Sequence, residues 1–234
     1  MTLPVAVLVS GTGSNLQAII EHIEAGRIDA RITAVVSNKA DAKALDRARE
    51  HGIPARVLPH GDFPDRAAFD AALLAAVRES GARAVVLAGF MRLLAPEFIA
   101  AFRDRILNIH PALLPSFPGI RGQADAAAYG VTIAGATVHF VDEKMDNGPI
   151  VIQAAVPALP DDDAASLAAR ILAMEHRIYP QALAWLAAGR LRVEGRKVRL
   201  APAREGEGAA GATATGTAEG VAYLVHPPLE AGFF

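Results

Sequence analysis

The first half of the chain alternates short, β-rich apolar runs with amphipathic stretches of helical spacing, and this rhythm constrains the fold more than any other feature. The runs at Pro4–Ser10, Ile32–Val36, Ala55–Leu58, Ala84–Ala88 and Arg105–Ile109 read as strands. Several are nearly continuous in apolar residues, as strands buried on both faces require. Between them lie helical patterns at Ser14–Ala25, Asp41–His51, Arg66–Ser80 and Pro96–Phe102. In the first of these Leu16, Ile19, Ile20 and Ile23 share one side. Strand–helix alternation of this kind predicts a parallel sheet with right-handed crossovers.

The rhythm then changes. His110–Gly119 holds Pro111, Pro115 and Pro118, each without a backbone donor and with a fixed φ, so the segment is not a regular helix or strand. Val131–Val141 and Ile150–Val156 read as a strand pair around Asp146-Asn147-Gly148-Pro149. Ala164–Ala188 has the pattern of a long one-faced helix, which Pro180 is expected to kink or break. Leu191–Val193 and Lys197–Leu200 flank Glu194-Gly195 as a small hairpin. The expected organisation is a globular domain over residues 1–200 and a Gly/Ala-rich appendage over 201–234, flexible around Glu205–Gly220. Val221–Phe234 regains apolar residues able to dock. Truncation after Leu200 is expected to leave activity nearly intact.

Composition removes whole classes of function. With no Cys, disulfides, thiolate metal sites and Cys nucleophiles are out. The seven His are scattered without metal-ligand spacing, so no metal is expected. A formal net charge of −2 offers no cationic field for a polyanion, so no nucleic-acid partner is expected. No apolar run reaches membrane-spanning length and the N-terminal run reads as a strand, so the expectation is a cytoplasmic protein without membrane contact.

Two motifs carry chemistry. Ser10-Gly11-Thr12-Gly13-Ser14-Asn15 joins the first strand to the first helix. Its glycines let backbone approach a ligand, and the helix start offers free N–H groups that suit a phosphate, with Ser14 able to cap. Leu16 stands where a dinucleotide fingerprint needs Gly or Ala, and no Gly-Lys-Ser/Thr follows, so a monoester phosphate is the ligand indicated. Spacing alone leaves a ligand-free tight turn open. In Leu107-Asn108-Ile109-His110-Pro111, Asn108 and His110 point the same way on a strand end. An amide donor beside an imidazole suits an acyl-transfer oxyanion, although a turn cap and a structural His fit the same spacing. Asp146 is good turn chemistry by itself. Placed beside His110, its carboxylate would hold the imidazole and favour the protonated form.

Val9–Ile20, Leu87–Leu94, Leu107–Pro115, Ala136–Val141, Asp146–Ile150 and Glu175–Pro180 together resemble the phosphoribosylglycinamide formyltransferases, over about residues 3–200. The resemblance implies a single Rossmann-like α/β domain, its mostly parallel sheet ending in an antiparallel C-terminal part and flanked by helices. It implies formyl transfer from 10-formyltetrahydrofolate, as co-substrate and without metal, to the amine of 5′-phosphoribosylglycinamide in purine biosynthesis. Asn108, His110 and Asp146 match the family's catalytic trio. Gly13, Ser14, Asn15, Pro111 and Glu175 match its ribonucleotide site. Arg66, Met91, Arg92, Leu93, Leu94, Asn108, Val141 and Asp142 match its folate site, with Asp142–Asp146 as the loop over the pterin. The implied partners are small molecules, in a monomer or homodimer. Many members carry a Leu-His-x-His run after the residue matching Gly119; here Ile120-Arg121-Gly122-Gln123-Ala124 stands instead, and Arg121 is a candidate substitute. The alternatives are a formyltetrahydrofolate hydrolase, which usually carries an N-terminal regulatory domain ahead of the first strand, and a formyltransferase for another amine.

Overall fold

In a computed structural model the chain divides into two compact units, Met1–Asn108 and Ile109–Phe234. The structure describes residues 1–203, 214–218 and 221–234.

The first unit holds β1 (Leu3–Val9), α1 (Ser14–Glu24), β2 (Ala30–Ser37), α2 (Ala44–Glu50), β3 (Ala55–Val57), α3 (Arg66–Glu79), β4 (Ala84–Ala88), α4 (Pro96–Ala101) and most of β5 (Ile106–His110). Its strands run parallel in the order β5-β4-β1-β2-β3. The most apolar run in the sequence takes the central place: Val5 through Val9 are fully buried. A strand covered on both faces tolerates no polar side chain, which is why this run does not alternate. Leu16, Ile19 and Ile20 of α1 are buried at the spacing the sequence pattern set. Asp65 starts α3 by accepting the Ala68 N–H at 2.8 Å, and Pro96 starts α4 where no intrahelical donor is needed.

The second unit turns antiparallel, as expected for the C-terminal part. It holds α5 (Gly122–Tyr129), β6 (Ile133–Phe140), β7 (Ile150–Pro157), α6 (Ala164–Ala187), β8 (Leu191–Glu194), β9 (Lys197–Leu200), β10 (Ala214–Ala218) and β11 (Val221–His226). The path β10-β11-β7-β6 is antiparallel throughout, and β9 touches β7 in parallel at Ile150 and Lys197 while pairing β8. Helix α5 has no counterpart in the sequence reading, since Gly122–Tyr129 shows almost no apolar face.

Of the kink or break expected at Pro180, helix α6 shows no break. It runs unbroken through Pro180 for 24 residues. A Pro inside a helix costs roughly 3 kcal/mol. Around it Ile178 and Leu183 are completely buried, and burial of such side chains contributes about 1.5–3 kcal/mol each, which offsets the cost. Asp163 and Ser166 close a reciprocal capping box at its start. Arg170 bonds Asp162 at 2.5 and 3.0 Å and holds that carboxyl below the usual range.

Of the segment expected to be a flexible appendage, residues 204–213 and 219–220 lie outside the described residues. In the described part, Leu224–His226 pair with Gln153–Ala155 of β7, and Leu229 and Phe233 are buried. Gln181 of α6 donates to the Pro228 carbonyl at 3.0 Å and accepts the Glu230 N–H at 2.6 Å. Arg190 meets Glu230 at 2.9 Å. No helix among the described residues is long and apolar enough to cross a membrane.

Candidate active site

In the first unit, β1 delivers the glycine loop. Gly13 has φ 75°, where a residue with a Cβ is strained, and a Cβ there would lie 2.6 Å from the Ala44 Cβ. Gly13 itself is the N-cap of α1, so Ser14 is the first helical residue and not the cap expected from sequence; no side chain caps this end. Ser14 and Asn15 therefore start the helix, at the end where its dipole favours an anion. Arg47 of α2 donates to the Thr12 carbonyl at 2.9 Å and to Gln17 Oε1 at 3.3 Å, adding a cation that sequence reasoning missed. Its position on a separate helix left no local signal.

The same unit gathers the candidate folate residues. Ser10 Oγ donates to Asn38 Oδ1 at 2.6 Å and accepts the Met91 N–H at 2.9 Å, tying the start of the glycine loop to Met91–Leu94. Arg66 bonds Asp70 at 3.2 Å and the Leu93 carbonyl at 3.1 Å. The Arg92 guanidinium lies 4.9 Å above the Phe69 ring. Met91 and Leu93 are more than half exposed while Leu94 is buried, which leaves an apolar rim for a ligand.

Strand β5 carries Asn108, half-buried, and His110, buried, two residues apart on one face. In the second unit His110 Nε2–H donates to the Phe117 carbonyl at 2.8 Å, and its Nδ1 faces Asp146 Oδ2 at 3.5 Å. The same Asp146 oxygen accepts the Gly119 N–H at 2.7 Å. Both His110 nitrogens thus face oxygen acceptors. Asp146 adopts φ 48°, an uncommon conformation for a residue with a side chain, and so does Phe117 at φ 50°.

His139 completes this cluster, with Nε2 3.9 Å from Asp146 Oδ1 and Nδ1–H donating to the Phe140 carbonyl at 2.8 Å. Burial pushes its titration down. It was read only as part of an apolar strand; a His in such a run was the available signal. Pro111 begins the segment that Thr137 pins by donating to the Ala112 carbonyl at 2.7 Å and accepting the Leu114 N–H at 3.0 Å.

Val141 and Asp142 follow β6. Asp142 accepts the Lys144 N–H at 3.0 Å and Asn147 Nδ2 at 2.9 Å, so the 142–148 loop is held from within. Glu175 lies buried on α6. Arg121 is mostly exposed and 3.3 Å from Asp125, its neighbour in α5. Among the described residues no group of three or more His, Asp or Glu could hold a metal ion.

Residues 3–183 match the formyl transferase family model. The chain belongs to the formyl transferase family. It is 43% identical over 189 residues to the phosphoribosylglycinamide formyltransferase of Escherichia coli, covering 81% of this chain and 89% of that protein. It is 49% identical over 190 residues to a trifunctional purine biosynthetic protein of Drosophila pseudoobscura pseudoobscura, covering 80% of this chain but only 14% of that much longer protein. Among solved formyl transferase structures, a glycinamide ribonucleotide transformylase from Symbiobacterium toebii superposes with a TM-score of 0.84 at 50% identity, covering 86% of this chain and 94% of that one.

Proposed function

We propose that this formyl transferase moves the formyl group of 10-formyltetrahydrofolate to the amine of 5′-phosphoribosylglycinamide, a step of purine biosynthesis, and that residues 1–200 carry the activity. The observation that carries the reading is Asp146 facing a buried His110 that shares a strand face with Asn108. The similarity to the E. coli enzyme, over 81% of this chain and 89% of that protein, supports the choice of donor and acceptor. The glycine loop, Glu175 and Pro111, the residue that follows the catalytic strand, take the phosphorylated substrate. Arg66, Met91–Leu94, Val141 and Asp142 take the folate.

The chemistry is direct transfer. The amine nitrogen attacks the formyl carbon and the carbonyl oxygen becomes an oxyanion. Asn108 donates to that oxygen. Asp146 faces Nδ1 of the His110 imidazole and orients the ring, whose Nε2–H is the donor available to the oxyanion. Its Nε2 proton, now given to Phe117, changes acceptor to the oxyanion when substrate binds; catalytic hydrogen bonds often form only in the complex. Asp146 takes the proton lost by the amine, directly or through water. The carbon–nitrogen bond to the folate then breaks, and the folate nitrogen leaves with its electron pair and gains a proton.

The test is turnover of Asn108→Ala and His110→Ala. Each is expected to lose about 10²-fold or more in kcat with an unchanged fold. Near-wild-type kcat in both would remove them from the chemistry.

A further inference from the structure

We infer that Arg196, at the tip of the β8–β9 hairpin, is a positioning residue that latches the 142–148 loop and so sets both the folate contact and the placement of Asp146. The inference rests on the reading of that loop as part of the formyl-donor site.

The loop must hold an unfavourable shape. Asp146 sits at φ 48°, a conformation that L-residues with a Cβ avoid. Gly148 leaves no room for adjustment, since a Cβ there would lie 1.7 Å from the Phe140 carbonyl oxygen. The Phe140 N–H donates to the Pro149 carbonyl at 2.9 Å and closes the base of the loop. Between these fixed points the crest hangs on one side chain, Asp142, which accepts from Lys144 and Asn147.

Arg196 reaches this crest from outside the loop. The parallel pairing of Ile150 with Lys197 sets the hairpin beside the end of the loop. From there the Arg196 guanidinium donates to the Asn147 carbonyl and lies 3.9 Å from Asp142 Oδ2. One guanidinium nitrogen, Nη1, thus reaches the residue that follows Asp146 and stands near the carboxylate on which the crest is folded. An exposed ion pair alone contributes little. A charge-assisted bond to a carbonyl inside a turn is stronger. The other charges at the hairpin do not compete for Arg196. Glu194 is engaged by Arg192 at 3.5 Å and Arg199 at 3.2 Å.

The experiment compares wild type, Arg196→Ala and Arg196→Lys by steady-state kinetics and by amide hydrogen exchange over residues 142–148. In Arg196→Ala the loop is expected to lose protection, and KM for 10-formyltetrahydrofolate to rise, each by about three- to tenfold. KM for the ribonucleotide should hold within about twofold, and kcat should fall less than for any change to Asp146 itself. Arg196→Lys keeps the charge without the rigid planar guanidinium and should recover part of the protection and of KM. Unchanged exchange in Arg196→Ala overturns the latch. Faster exchange with unchanged kinetics contradicts the donor-site reading of the loop and leaves the latch standing.

Discussion

His110 Nδ1 lies 3.5 Å from Asp146 Oδ2, and the Gly119 N–H donates to that same oxygen at 2.7 Å. The carboxylate is therefore oriented by backbone and aimed at the imidazole, from a residue whose φ of 48° would not persist without such support. Asp146→Asn keeps an oxygen for Gly119 but removes the charge. We expect kcat to fall by about 10²–10³ while both KM values change by no more than a few-fold. Steady-state kinetics on folded variant protein checks this; retained turnover would deny Asp146 its role.

Gly148 predicts a sharper contrast. A methyl group there would meet the Phe140 carbonyl at 1.7 Å, backbone against side chain, so Gly148→Ala must displace the 142–148 loop. Gly195 has φ 61° but open space around it, so Gly195→Ala should cost only about 1–2 kcal/mol from backbone strain. Formyl transfer should collapse in the first and survive in the second. Equal activity in the two variants would show that the loop tolerates what its packing forbids.

His139 predicts a pH dependence of stability. Burial keeps it neutral in the folded protein to lower pH than in the unfolded chain. The unfolded chain takes up this proton as pH falls below about 6.5, so it binds more protons in that window. Stability is therefore lost as pH drops through it, and the loss levels off only below the folded-state value. Urea unfolding of His139→Gln between pH 7.5 and pH 5, on the order of the window that a His ordinarily titrates in, should show a flatter slope than wild type. An identical slope would mean that His139 is not the group responsible.

The C-terminal strap predicts a loss of stability. Glu230 meets Arg190, whose side chain is only 7% exposed, and Gln181 is completely buried with both ends bonded to residues 228–230. These contacts dock the end of the chain on α6 and on Arg190. Glu230→Ala leaves a buried guanidinium short of a partner and should cost about 2–3 kcal/mol. Truncation after Leu200 also removes buried Leu229 and Phe233 and should lower the thermal midpoint further. A truncated protein that melts like wild type would contradict this.

Legibility in the sequence followed burial and periodicity. Val5–Val9 announced a strand covered on both faces because the run is continuously apolar, and Leu16, Ile19 and Ile20 announced α1 by their spacing. Asn108 and His110 were legible as a pair because strand alternation puts them on one face. Helix α5 was not, because Gly122–Tyr129 carries no strong apolar stripe. Pro180 did not end α6, because the local cost of a helical proline is visible in sequence and the packing that offsets it is not. Backbone groups left no trace either: the Phe117 carbonyl and Gly119 N–H that orient His110 and Asp146 depend on chain path, not on residue type. Arg47 and Arg196 act across distances in sequence that no local pattern spans.

The most direct test of the central proposal follows the formyl carbon. Enzyme is supplied with 10-formyltetrahydrofolate labelled with carbon-13 in the formyl group, with and without 5′-phosphoribosylglycinamide, and the products are read by NMR. The proposal predicts label in the formamide of the ribonucleotide, in step with released tetrahydrofolate, and almost no turnover without the amine. Label appearing as free formate, at a rate independent of the ribonucleotide, would contradict it and mark the protein as a hydrolase.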